Sequence, residues 1–321
     1  MTAAPDTRTT PEAPRPRPSA SLPTLAASLP TLGLLGVTAA WGSTFFMLKE
    51  VVTRVPVADF LALRFLVAAV AVTLLAPRAL ARLTADERRY GLLLGLVYGV
   101  GQVLQTTGLQ TTSASVSGFL TGMYVVFTPV LGALLVRHRT TPVTWVAVGL
   151  ATVGLGVLSL QGFALGGGEA LTIVSAVLYA LHIVGLGLWS RPGSALGLTV
   201  VQLWVVAGVC AVAGLPGGLT VPTRVDDWLV LVFMALVAGA AALVVQTWAQ
   251  ARLAPTRAAV IMTMEPVFAG FFAVLFGGEV LTGRVLVGGG IVLAAMYLVE
   301  LGPGQRAVAE EVGGVQHVGP V

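Results

Sequence analysis

Residues 90–136 carry no charged side chain over 47 consecutive positions. As one helix this run would reach about 70 Å at 1.5 Å per residue, more than twice the ~30 Å hydrocarbon core of a bilayer. It must therefore fold back on itself in an apolar medium. The polar cluster Gln110-Thr111-Thr112-Ser113 marks the turn.

The rest of the 321-residue chain has the same character. Apolar residues make up 56% and charged residues 10%, against about 25% charged in an ordinary soluble domain. Too few charges remain to cover a soluble surface, and the mean hydropathy of +0.91 is far above that of a disordered chain. At about 20 residues per crossing the length accommodates ten helices. Apolar blocks place them near 31–48, 57–76, 91–109, 114–135, 143–160, 170–189, 197–215, 228–248, 257–276 and 283–300. The expected fold class is an all-α membrane protein. Residues 1–28, rich in Pro, Thr, Ala and Arg, read as a disordered cytoplasmic tail rather than a signal peptide, because the first apolar run continues without a small-residue cleavage site. Residues 302–321 read as a second flexible cytoplasmic tail.

The pI of 9.7 does not indicate nucleic-acid binding, since no basic stripe is interleaved with aromatics. Basic residues instead follow topology. With ten helices and a cytoplasmic N-terminus, inner segments hold Arg8, Arg15, Arg17, Arg78, Arg82, Arg88, Arg89, Arg137, Arg139, Arg191, Arg252, Arg257 and Arg306, and outer loops hold Lys49, Arg54, Arg224 and Arg284. Thirteen against four predicts a multi-pass protein of the cytoplasmic membrane with both termini inside. Cys210 is the single cysteine and lies in an apolar run, so neither a disulfide framework nor a Cys-based metal site is expected.

The halves resemble each other. Thr128-Pro129-Val130 in the fourth helix is matched by Glu265-Pro266-Val267 in the ninth, 137 residues later, and Val148-Gly149 by Val287-Gly288. Halves of 29–161 and 169–301 carry five helices each. A duplicated unit with an odd number of crossings enters the membrane in opposite orientations, an inverted repeat typical of carriers.

Several segments coincide with one family. Ala40-Trp41-Gly42-Ser43-Thr44-Phe45, Leu63-Arg64-Phe65, Met264-Glu265-Pro266-Val267-Phe268 and Gly277-Gly278-Glu279 together resemble the EamA-type ten-helix permeases of the drug/metabolite transporter superfamily, over about 31–300. After the fourth helix this chain has Arg137-His138-Arg139 where the family often has Gly-Glu, which restricts that acidic position to Glu279. The resemblance implies two EamA-like repeats that move small polar metabolites, amino acids or drugs across the inner membrane, often outward.

Ionisable groups at membrane depth are costly and mark candidates for function. Glu265 lies mid-helix, where an acid is cheaper protonated than ionised, which suits it to proton coupling; the alternative is a structural cap. Its neighbour Pro266 frees a carbonyl in the preceding turn. Arg64 offers a fork of donors to a substrate carboxylate, or pairs with a carbonyl, or snorkels outward. His182, the only histidine within a span, is a proton-relay candidate or an interhelical donor. Gln102 and Thr106 share one helix face, as do Gln246 and Gln250. They line a cavity or join helices. Trp41, Tyr98, Tyr124, Tyr179, Trp204 and Trp248 are candidate pocket walls or else interface and packing residues, with Trp41 and Tyr98 foremost for the pocket. The expected substrate set is therefore Trp41, Arg64, Tyr98, Gln102, Thr106 and Glu265. Pro129 and Pro266 are the hinge candidates. Gly91, Gly95 and Gly99 suit close helix packing.

The function expected is a secondary transporter, an exporter, for amino acids or related polar or cationic solutes. No GxxxxGK[ST] loop is present, so ATP hydrolysis and a cofactor are not expected. The partners are a small-molecule substrate and the lipid bilayer, with no nucleic acid, and the chain acts as a monomer or homodimer. An intramembrane enzyme built on Ser117 and His182 and a passive channel are the alternatives. The first lacks paired acids, and the second lacks a ring of like polar residues.

Overall fold

The computed structural model describes residues 25–136, 142–159, 166–253, 258 and 261–301. Residues 1–24 and 302–321 of the expected tails, and Arg137-His138-Arg139, lie outside the described residues.

The described chain is helical throughout, as an apolar medium requires of backbone groups that find no water. The crossings are α1 (Leu25–Val51), α2 (Val57–Leu75) and α3 (Ala85–Leu109), then α4 in two pieces (Ala114–Gly122 and Tyr124–Val136) and α5 (Pro142–Ser159). The second half has α6 (Gly167–Trp189), α7 (Ala195–Gly214), α8 in three pieces (Val225–Phe233, Met234–Ala241 and Ala242–Gln250), α9 (Met264–Leu275) and α10 (Gly283–Leu301). Seven of these are long and apolar enough to span a bilayer, and shorter apolar helices within α5, α9 and α10 complete the ten. Helix starts follow local chemistry. Thr84 and Glu87 form a reciprocal capping box at α3, and Ser113 caps α4. Three details depart from the expected helices. α1 begins at Leu25, so residues 25–28 belong to the helix rather than the tail, with Pro30 inside it. α4 is interrupted at Met123. The middle of α8 is a π-helix.

Neighbour relations repeat under the exchange of helix n for helix n+5. α3 packs on α6 as α8 packs on α1; α3 packs on α7 as α8 packs on α2; α1 packs on α9 as α6 packs on α4. Three helices pack on their own counterparts, α2 on α7, α4 on α9 and α5 on α10. Each such pair is antiparallel. Asp59 at the start of α2 meets Thr220 beyond the end of α7, while Thr73 near the end of α2 meets Trp204 of α7. Gly118 faces Ala269 and Gly122 faces Pro266. Val157 of α5 meets Arg284 at the start of α10. The fold is two inverted five-helix repeats.

Close approach depends on glycine where the sequence places it at intervals of four. A Cβ on Gly91 would lie 2.8 Å from Val201 Cγ1, one on Gly95 2.7 Å from Val205 Cβ, and one on Gly99 3.1 Å from Val209 Cβ. A valine ridge of α7 thus sits in a glycine groove of α3. Cys210 is a buried core residue.

Candidate functional site

The bundle holds a cavity of ≈ 50 Å³ between the repeats. Its lining draws on α1, α2, α3, α4, α6, α8 and α9, and on Met262 just before α9. All six residues expected to bind substrate line it, as does His182, and Gln105, Thr121, Tyr124, Tyr179 and Gln246 join them. Pro129 and Pro266 are not among the lining residues. Trp204 and Trp248 lie elsewhere. The Trp204 indole donates to Thr73 Oγ1 at 3.1 Å on an exposed face, and Trp248 stacks under the Arg252 guanidinium. Indoles placed this way fit the tendency of tryptophan to gather at interfaces.

Two groups give the cavity its electrostatic character. Arg64, 3% exposed, donates from Nε to Met234 O at 3.3 Å and packs its guanidinium 4.8 Å from the Phe65 ring centre. No carboxylate forms an ion pair with it among the described residues. Met234 O is available because the π-helix of α8 widens the turn and loosens the regular hydrogen-bond ladder. The same segment gives Ala238 O to the Trp41 indole at 2.8 Å. α1 and α2 are thereby pinned to the backbone of α8. Glu265, 4% exposed, lines the same cavity from the first turn of α9.

The Tyr124 hydroxyl lies 3.0 Å from Met262 O and 2.8 Å from Glu265 Oε2. Pro266 has no N–H, so Met262 O, four residues before it, has lost its helical donor, and Tyr124 replaces that donor. A phenol has one proton for two acceptors. Both contacts become full hydrogen bonds when Glu265 carries a proton and donates to Tyr124 Oη while Tyr124 donates to Met262 O.

The remaining polar lining is a relay of neutral groups. Gln102 Nε2 donates to Tyr179 Oη at 2.9 Å, Tyr179 donates to Gln105 Oε1 at 2.9 Å, and Gln105 Nε2 donates to Thr121 Oγ1 at 2.9 Å. Tyr98 stacks on the His182 ring with centroids 4.8 Å apart. His182 Nε2 is 2.7 Å from Gln202 Oε1, a bond that ties α6 to α7. Tyr98, Tyr179 and Trp41 supply flat apolar walls between these groups.

The end of the bundle at the α1–α2 turn is closed by satisfied charge. Lys49 Nζ donates to Leu109 O, Gln110 O and Thr112 O at 2.8, 3.2 and 2.6 Å, neutralising the carbonyl end of α3. Glu279 accepts from Ala114 N, Ser115 N and Ser115 Oγ at 2.6, 3.2 and 2.6 Å, capping the amide end of α4. Arg54 reaches Asp227 at 2.6 Å and Glu50 at 3.1 Å, and its hydrogen bond to Asp227 raises its pKa above the ordinary value. The role of Glu279 as a cap was not visible in sequence, where only the family resemblance singled the residue out.

A sequence model of the EamA-like transporter family matches residues 29–160 and again 166–301. An uncharacterized transporter of Archaeoglobus fulgidus is 28% identical over 274 residues, 84% of this chain and 85% of that one. A solved crystal structure superposes with a TM-score of 0.64 at 15% identity, over 89% of this chain and 99% of its own. It carries the likeness of fold alone.

Proposed function

The chain belongs to the EamA-like transporter family, and from that premise we propose that it is a secondary carrier, an exporter, for amino acids or related small polar or cationic solutes. It works by alternating access across the cytoplasmic membrane with both termini inside, and it catalyses no chemical step. The repeats 29–161 and 169–301 are the units that move.

The observation that carries this reading is a buried cavity between inverted repeats lined by both Arg64, which has no counter-ion among the described residues, and Glu265. A carrier site needs polar groups that exchange water for solute, and enclosed charge without a partner is what a bound solute would complete. Arg64 is the carboxylate-binding group, through donors its bond to Met234 O leaves over. Trp41 and Tyr98 flank the solute's apolar part, and Gln102 and Thr106 meet its polar atoms. Glu265 carries the coupled proton. In the present conformation Glu265 is held against the Tyr124 hydroxyl, and separation of α9 from α4 would free its carboxyl group. His182 is a proposed proton-relay residue at the cavity wall. Pro129 and Pro266 provide the bends at which α4 and α9 flex.

The test begins with cells that overexpress the protein, screened against a solute panel for tolerance and extracellular accumulation. The active solute is then followed in sealed vesicles under an imposed pH gradient. Wild type should show saturable flux, trans-stimulated by its own solute and accelerated by the gradient. Glu265→Gln should retain exchange but lose the gradient dependence. Unchanged proton coupling in that variant removes Glu265 from the mechanism, and flux without saturation removes the carrier.

A further inference from the structure

At the α1–α2 end every charged group described above has partners, although Thr112 Oγ1 there and Ser117 Oγ in the first turn of α4 are buried with no hydrogen-bond partner among the described residues. The largest unpaired group, a whole side-chain amide, lies toward the opposite end, which carries Arg78, Arg82, Arg88, Arg89, Arg191 and Arg252 and where Ser190 Oγ is also unpartnered. Gln246 Oε1, both amide atoms of Gln250 and Thr31 Oγ1 have no hydrogen-bond partner among the described residues. Gln246 and Gln250 are 2% and 3% exposed, so the cause is not contact with solvent.

Their placement is directional. Gln246 lines the cavity. Gln250 is four residues on, on the same face of α8 one turn nearer the arginine-rich end. Thr31 lies on α1, ten residues below Trp41, and α1 packs on the last piece of α8. Ala249, beside Gln250, packs instead into a small apolar cluster with Leu34 and Ala258. A row of unpaired polar atoms therefore leads from the cavity toward the arginine-rich end, beside a dry contact that closes it. A buried amide with neither group bonded is costly, and it persists in a two-state protein when the other state supplies its partners.

We infer that the second half of the solute's passage runs along this seam between α1 and the last piece of α8, closed in the present conformation, with Gln250 as the side chain that meets water and passing solute when the seam opens. The inference rests on the carrier reading, but it makes a claim about access that needs no identified solute. Opening parts the α1–α8 contact. Gln246 faces the cavity in both states, whereas Gln250 is wetted in only one.

The experiment uses thiol labelling in a Cys210→Ala background, which removes the single native cysteine. Gln246→Cys, Gln250→Cys and Leu198→Cys, the last fully buried against Leu94 and Leu186 away from the α1–α8 contact, are exposed to a membrane-impermeant trimethylammonium-ethyl methanethiosulfonate in right-side-out and inside-out vesicles. Gln250→Cys should react only from the arginine-rich side, at least about tenfold faster than Leu198→Cys, and Gln246→Cys from both sides. Equal rates at positions 198 and 250, or no reaction at 250 from either side, overturn the seam. Gln250→Leu gives a second reading if the cysteine variants fail to fold. Removing the unpaired amide should raise the thermal midpoint of the purified protein and slow any measured flux; a lowered or unchanged midpoint counts against the proposal. A protein that labels as expected yet moves no solute keeps the seam and loses the carrier. One that transports without labelling does the reverse.

Discussion

α4 and α9 are counterparts in the duplicated fold, pack on each other, and use the same slot differently. Both carry an interruption followed by proline, Met123 and Pro129 in one and Thr263 and Pro266 in the other. The residue before the proline is Thr128 in α4 and Glu265 in α9. Thr128 Oγ1 turns back on its own helix and donates to Tyr124 O at 2.7 Å. Glu265 reaches across to the other repeat and meets Tyr124 Oη at 2.8 Å. The position that corresponds to Tyr124 in the second repeat is Ile261, which has no hydroxyl to return the contact. Duplication has kept the proline in both helices, while the ionisable group and its phenolic partner occur once between them. A carrier that couples one proton needs one acid, and the second slot is free to be structural.

The largest expected effect lies where the two helices touch. A Cβ on Gly118 would sit 2.5 Å from Ala269 Cβ, so Gly118→Leu must push α4 off α9. Overpacking of this kind costs about 1–3 kcal/mol or more, and here it strikes the contact between the repeats. Little monodisperse protein should survive size-exclusion chromatography in detergent. A Gly118→Leu protein that elutes and melts like wild type would show that the two helices do not need to be this close.

Next comes the hydroxyl that links the two slots. Tyr124→Phe leaves Met262 O and Glu265 without their shared partner inside a buried site, at a cost of about 1–3 kcal/mol. Thr128→Val removes only a bond within one helix, whose carbonyl acceptor still has the regular backbone donor, and should cost less than about 1 kcal/mol. Thermal unfolding in one detergent should rank the pair in that order. Equal losses would mean that the link across the repeats is no stronger than a local one, and the asymmetry between α4 and α9 would reduce to sequence drift.

Ten crossings, five per repeat, were readable because charge and hydropathy alternate on the scale of the bilayer and because the Thr-Pro and Glu-Pro pairs stand 137 residues apart. The carbonyl freed by Pro266 was equally readable, since proline lacks a donor wherever it stands. What takes that carbonyl was not, because Tyr124 is 138 residues from Met262 and nothing local links them. Side-chain direction was the harder matter. In α8 the run from Leu229 to Val245 is apolar on every face, so a segment that faces lipid and one that faces the core look alike, and neither the π-helix at Met234–Ala241 nor its bonds to Arg64 and Trp41 left a mark in periodicity. Arg64, Tyr98 and Glu265 could be singled out because polar groups are rare in such a chain. For Trp204 and Trp248 the sequence left pocket wall and interface anchor both open, since an indole is at home in either, and only the structure sets them outside the cavity.

The smallest expected effect tests the comparison from the side of the backbone. Gly132 of α4 corresponds to Ala269 of α9. Ala269 is fully buried against Gly118, whereas a Cβ on Gly132 would have nothing within 4 Å. Glycine inside a helix costs roughly 0.5–1 kcal/mol relative to alanine, and at Gly132 no close packing offsets that cost. Gly132→Ala should therefore raise the thermal midpoint slightly and leave solute exchange at the wild-type rate. A gain in stability with slower exchange would instead mean that the looseness of α4 beyond Pro129 contributes to the motion. In that case the first repeat's slot, self-satisfied at Thr128, would be the more mobile of the two hinges rather than the more rigid one.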